Sequence, residues 1–228
     1  AHGSWRVSLG FWALPLLLTA VLVAAFSPRG QTLAPHSAAR RWWPDWRDPL
    51  VWRLGLLLGA VNTTYWSANT FLPDYLAAMG RPALVPQVLT ALNGGQIPGS
   101  LLMLAFAGRL VRRHLSYGIM AALVLGSVIG IVMGSGWAIV WWAGVLGFAN
   151  AVALVLMLAL PALLAAPEDV HRLSAAMFTV SYPCAVVLPI IGGYAWDRTG
   201  IPAIAFAPIA LGALVILGLS PGLRLTHA

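Results

Sequence analysis

Seven stretches of this chain are apolar for long enough to cross a bilayer, and no other feature restricts its fold so strongly. A helix needs about 20 mostly apolar residues to traverse the hydrocarbon core. Such segments run over about 8–26, 51–77, 85–108, 115–134, 137–165, 173–195 and 201–220. None alternates with period two as a barrel strand would. Prolines recur inside them (Pro15, Pro98, Pro183, Pro189, Pro208), which membrane helices tolerate where neighbours re-satisfy the backbone. No segment reads as a cleavable signal peptide. Only 8% of the residues are charged, against about 25% in soluble domains, and the mean hydropathy is +0.85. The expected architecture is all-α: a polytopic membrane bundle of about seven transmembrane helices.

The charge that is present reads as topology. All 13 basic residues are arginine, and the pI of 10.8 rests on them. One set of connections holds Arg29, Arg40, Arg41, Arg47, Arg53, Arg109, Arg112, Arg113, Arg172 and Arg224. The opposite set holds Arg6, Arg81 and Arg198. Cytoplasmic loops carry the excess of basic residues. The expected orientation is amino terminus outside and carboxyl terminus cytoplasmic, in a multi-pass plasma-membrane protein. The longest connection, about 27–50, is then cytoplasmic and carries Trp42, Trp43 and Trp46 among its arginines, a composition suited to the headgroup level or to a plain linker.

Composition also excludes function classes. A water-soluble enzyme, a disordered protein and a nucleic-acid binder are ruled out by apolarity. His2, His36, His114, His171 and His227 show no metal-ligand spacing, so no metal or cofactor is expected. The one cysteine, Cys184, forbids an intrachain disulfide. With no lysine anywhere, neither a retinal Schiff base nor a phosphate loop ending in Gly-Lys can form. No charged ring suggests a channel filter.

One span, a long basic loop and six closely connected spans resemble the second half of a major facilitator superfamily transporter, helices six to twelve. Such carriers have two six-helix halves that rock around a midplane site. The resemblance divides the chain into 1–26, the last helix of a missing amino-terminal half; 27–50, the central cytoplasmic loop; and 51–228, the six-helix half. The sequence is then expected to be a fragment, partnered by its missing half or by a second half-carrier, with lipid bilayer and a small solute as its other partners. Gly193-Tyr194-Ala195-Trp196-Asp197-Arg198-Thr199-Gly200 resembles the family's glycine and Asp-Arg pattern at the outer end of helix eleven. Gly108-Arg109-Leu110-Val111-Arg112-Arg113 resembles its basic loop between helices eight and nine, without the acidic residue and second glycine of the fuller motif. The resemblance therefore implies gating or topology roles for Gly108, Arg109, Arg112, Arg113, Asp197 and Arg198. The second span, with an amide, a tyrosine and the ending Leu72-Pro73-Asp74-Tyr75-Leu76, resembles the cyanate permease and nitroimidazole transporter branch. That implies a small solute, such as an anion like cyanate.

Polar side chains inside spans are costly and usually face the bundle or a cavity. Asn62, Tyr65, Trp66 and Asn69 lie at i, i+3, i+4 and i+7, one face of a helix. Amides and tyrosine both donate and accept, so this face can bind a polar solute or bond neighbouring helices. Asn93, Gln96 and Ser100 repeat the pattern, interleaved with Gly94, Gly95 and Gly99. Asn150 is a lone amide, and Tyr182, Pro183 and Cys184 are expected to break the sixth span. Asp74 is the acidic residue nearest mid-membrane and the candidate proton site. The expected function is secondary active transport by alternating access. The alternatives are a drug or metabolite efflux carrier of the same fold and a heptahelical receptor, which would bind without translocating.

Overall fold

The computed structural model describes residues 5–26 and 43–223, and among them every regular element is helical. The expected features at Arg29, Arg40, Arg41, Trp42 and Arg224 lie outside the described residues. The chain divides into two units between Arg41 and Trp42. The first contains α1, Trp5–Phe26, whose Thr19 hydroxyl donates to the Pro15 carbonyl at 2.8 Å. The second contains α2 (Pro49–Ala78), α3 (Val85–Gly94), α4 (Gln96–Leu110), α5 (His114–Met133), α6 (Trp137–Leu164), α7 (Val170–Thr199) and α8 (Ala207–Leu219). Short 3-10 turns at Pro82–Leu84 and Pro202–Phe206 lead into α3 and α8.

Among the described residues, five helical stretches are long and apolar enough to span a membrane: Pro82–Leu110, His114–Met133, Trp137–Leu164, Val170–Thr199 and Pro202–Gly222. Seven was the sequence expectation. α2 is long enough at 30 residues, but Asn62, Thr63, Thr64, Ser67, Asn69 and Thr70 dilute its apolarity. In α1 the apolar stretch Ala13–Phe26 is short. The first of the five contains a break the sequence pattern hid: Gly95 separates α3 from α4.

α2 sits at the heart of the second unit, with Leu54, Leu57, Leu58, Leu72 and Leu76 fully buried. Its packing follows from small residues. A Cβ on Gly55 would meet the Val180 side chain of α7, and one on Gly59 would meet Cys184 at 3.0 Å. Glycines one turn apart let membrane helices approach closely, because lipid supplies no hydrophobic drive for association. Gly212 of α8 packs on the Ala60 backbone in the same way: a Cβ there would lie 3.0 Å from the Ala60 carbonyl oxygen. On α6, a Cβ at Gly147 would run into the Leu92 carbonyl of α3, and a Cβ at Gly95 into the Gly144 carbonyl. The Trp142 indole fills the space left by Gly130 of α5.

The helix ends are tied by polar contacts. At one end the Tyr75 hydroxyl donates to the Val132 carbonyl at 3.3 Å, and Arg81 Nη1 donates to the Gly134 carbonyl at 3.2 Å. At the other, Arg53 Nη1 donates to the Gly222 carbonyl at 2.6 Å, while His114 Nδ1 lies 3.1 Å from the Ser220 carbonyl. Both carbonyls follow the last turn of α8, where a helix leaves acceptors without partners and favours positive charge. The entry to α2 is held by Trp52 Nε1 donating to the Trp46 carbonyl at 3.0 Å and by Arg172 Nε donating to the Trp43 carbonyl at 3.0 Å.

α7 corrects another expectation. The helix runs unbroken from Val170 to Thr199 through Pro183 and Pro189. Thr63 Oγ1 of α2 donates to the Cys184 carbonyl at 3.1 Å, a hydrogen bond next to Pro183 that ties α7 to α2. Gly200, at φ 69°, ends α7 in the left-handed conformation that glycine adopts without strain.

Candidate functional site

The four polar positions of α2 share one side of the helix, as their spacing requires. Asn62 turns towards α7, where its Nδ2 donates to Ser181 Oγ at 2.8 Å. Asn69 turns towards α3. Its Nδ2 donates to the Tyr65 carbonyl at 2.9 Å, and its Oδ1 accepts from Asn93 Nδ2 at 3.1 Å. Asn93 Nδ2 also donates to the Leu89 carbonyl at 3.0 Å. Asn93 Oδ1 accepts from Gln96 Nε2 at 3.2 Å and from the Tyr65 hydroxyl at 3.5 Å. Tyr65, Asn69, Asn93 and Gln96 thus form one network across α2, α3 and α4. Gln96 opens α4 just past the Gly95 break, which places its amide beside Asn93.

The network is not sealed inside the bundle. Asn62, Tyr65, Asn69 and Gln96 are half-buried, while Asn93 is exposed. Trp66 is 50% exposed and packs edge-on against Tyr65, with ring centroids 5.6 Å apart. Several groups make no hydrogen bond among the described residues: Asn62 Oδ1, Gln96 Oε1 and Trp66 Nε1. The Tyr65 hydroxyl keeps a free lone pair. The face therefore offers both donors and acceptors, and no formal charge, to whatever it meets.

The other expected residues are placed differently. Asn150 is 5% exposed on α6, and its buried Oδ1 has no hydrogen-bond partner among the described residues. It belongs to the core rather than to the exposed network. Tyr182 is 57% exposed on α7 and stacks on Phe178, with centroids 6.0 Å apart. Ser100 is exposed. Asp74 is exposed near the end of α2 and forms no ion pair among the described residues. Gly108, Arg109, Arg112 and Arg113 cluster at the α4–α5 turn, with all three arginines exposed. Asp197 and Arg198 occupy the last turn of α7, where Arg198 lies over the Tyr194 ring at 5.1 Å rather than on Asp197.

Three residues escaped the sequence reading. Ser181 is fully buried and is the partner of Asn62. Thr63 is fully buried and braces α7. Ser67 is fully buried and its hydroxyl has no hydrogen-bond partner among the described residues. Thr63 and Ser67 lie in the same polar run that exposed the α2 face, and that run was their only signal. No protein-family model matches the chain, and no similar curated protein or solved structure was found.

Proposed function

We propose that this chain is part of a secondary transporter with a major-facilitator-like arrangement. Its second unit supplies one wall of a solute pathway, and the Tyr65–Asn69–Asn93–Gln96 network lines that wall. The observation that carries this reading is the exposure of the amide cluster on an otherwise apolar bundle. Amides turned towards hydrocarbon are costly, so a partly exposed network calls for water, solute or protein opposite it. Trp66 and Tyr65 give the same face an aromatic surface beside the hydrogen-bonding groups.

On this reading α1 and α2 complete seven spans, the amino terminus lies outside, and the carboxyl terminus is cytoplasmic in the plasma membrane. The opposite wall comes from an amino-terminal half or from a second half-carrier. Transport proceeds by alternating access around a small polar solute. Asn62, with its spare Oδ1, and Asn69, paired with Asn93, contact it, with Tyr182 in a supporting place, while the buried Asn150 stands apart from the solute. The arginines of the α4–α5 turn and the Asp197–Arg198 pair act at the two ends of the pathway, and Asp74 is the group available for proton coupling.

Counterflow in vesicles containing the complete carrier tests this directly. Asn69→Ala abolishes exchange of the transported solute while membrane insertion stays normal. Unchanged kinetics in both Asn62→Ala and Asn69→Ala would remove this face from the pathway. Solute binding without exchange would favour the receptor alternative, and the preferred direction of net flux separates uptake from efflux.

A further inference from the structure

On α3 and α4, across from the amide network, lies a groove that nothing in the transport reading uses. It has a volume of about 730 Å³ and runs between the α3–α4 break and the first half of α6. Gly95 and Pro98 line one side, and Trp137, Trp141, Gly144 and Phe148 the other. Ala91, also in the groove, stands two residues from Asn93 on α3, about 200° round a helix. The groove and the polar face therefore look in opposite directions. Its walls are apolar and aromatic, and its size falls within the range of small-molecule pockets, about 300–1,000 Å³.

Length and charge indicate the occupant. From Trp137 to Phe148 the groove follows eleven residue steps of α6, or ~16 Å. That is half of the roughly 30 Å hydrocarbon core, the depth of one leaflet. Trp137 and Trp141 mark its shallow end, 73% and 70% exposed, where indoles prefer the membrane–water interface. Arg81 stands at that same end. Its Nη1 holds the Gly134 carbonyl at 3.2 Å, in the turn that leads to Trp137. Its other guanidinium donors make no hydrogen bond among the described residues. An arginine at the same end as an apolar slot about one leaflet long is complementary to a phosphate joined to an acyl chain.

We infer that this groove is a binding site for one acyl chain of a phospholipid from the leaflet on the Arg81 side, with Arg81 holding its phosphate. Gly144 keeps the slot open. A Cβ there would make only ordinary contact with Ala91, 3.6 Å from its carbonyl oxygen and 3.9 Å from its Cβ, and a larger side chain would occupy the groove that Gly144 lines.

The test uses the chain in phosphatidylglycerol vesicles doped with a phosphatidylglycerol bearing a diazirine on its acyl chain, followed by mass-spectrometric mapping of the adducts. Labelling is expected to concentrate on the first half of α6 and on the α3–α4 break. Gly144→Leu and Val145→Phe, each filling the groove, lose that labelling while circular dichroism and labelling of α5 and α7 persist. Arg81→Gln weakens it, and inorganic phosphate does not compete. Adducts spread evenly round the bundle in the unaltered protein would overturn the inference. So would undiminished labelling in both groove-filling variants or in Arg81→Gln, or a cross-link from position 145 to a second polypeptide. None of these readouts depends on transport, so the site can fail while the transport proposal stands, and the reverse.

Discussion

α2 and α6 are both long helices with many buried residues, yet they are packed by different means. α6 meets its neighbours by shape alone. Gly144 and Gly147 lie against the backbone of α3 and the α3–α4 turn, Trp142 fills the gap left by Gly130, and the single amide, Asn150, is buried with an unpartnered oxygen. α2 combines glycine packing against α7 with hydrogen bonds from Asn62 and Thr63, then turns a further amide cluster outward. Close contact alone is enough to assemble this bundle. Polarity beyond that need, placed where it is partly exposed, is the mark of a surface with something to bind.

If α6 is held by shape, Gly147 should be among the most sensitive positions in the second unit, because a Cβ there would run into the Leu92 carbonyl. Gly147→Leu drives a side chain into the Leu92 carbonyl and should cost about 3 kcal/mol or more. Loss of folded protein in a detergent unfolding series is the expected outcome. Tolerance of leucine there would remove the contrast with α2.

The next largest effect separates binding from packing on α2. Asn69→Ala removes the α2 amide that pairs with Asn93 in the exposed network, so solute exchange disappears. The stability cost stays at about 1 kcal/mol, the usual value of an interhelical hydrogen bond in a membrane. A large stability loss with normal exchange would make the network structural. Asn62→Ala sharpens the same point on the α7 side. It leaves Ser181 buried without its donor and should lower stability by about 1–2 kcal/mol. Asn150→Leu is the mildest change. Removing an amide whose oxygen has no partner should be neutral or stabilising by up to about 1 kcal/mol, read as an unchanged or raised unfolding midpoint.

The helices and the α2 face were legible in the sequence because long apolar runs and a 3.6-residue period are local properties. The pairing of Asn93 with Asn69 was not, since it depends on how α3 sits against α2. The α3–α4 break was hidden because Gly94 and Gly95 serve close packing and a local helix break equally well in a sequence. Pro183 misled in the other direction: with Tyr182 and Cys184 it reads as a break, yet α7 continues through it and through Pro189, as membrane helices packed among neighbours can. Asn150 shows the same limit. Its isolation in an apolar helix was visible, but burial in the core rather than exposure with Tyr65 and Asn69 depended on the rotation of α6.

The central claim is that the Tyr65–Asn69–Asn93–Gln96 face meets water or solute rather than lipid. The single native cysteine makes the direct measurement simple. In a Cys184→Ala background of the complete carrier, single cysteines at positions 66, 69 and 93 are treated in membranes with a water-soluble maleimide. Leu104, 85% exposed on α4, supplies the apolar reference position. Rapid labelling at 66, 69 and 93, with none at 104, is the predicted result. Labelling at the three polar positions as slow as at 104 would contradict the account, because the amides would then face lipid or sealed protein.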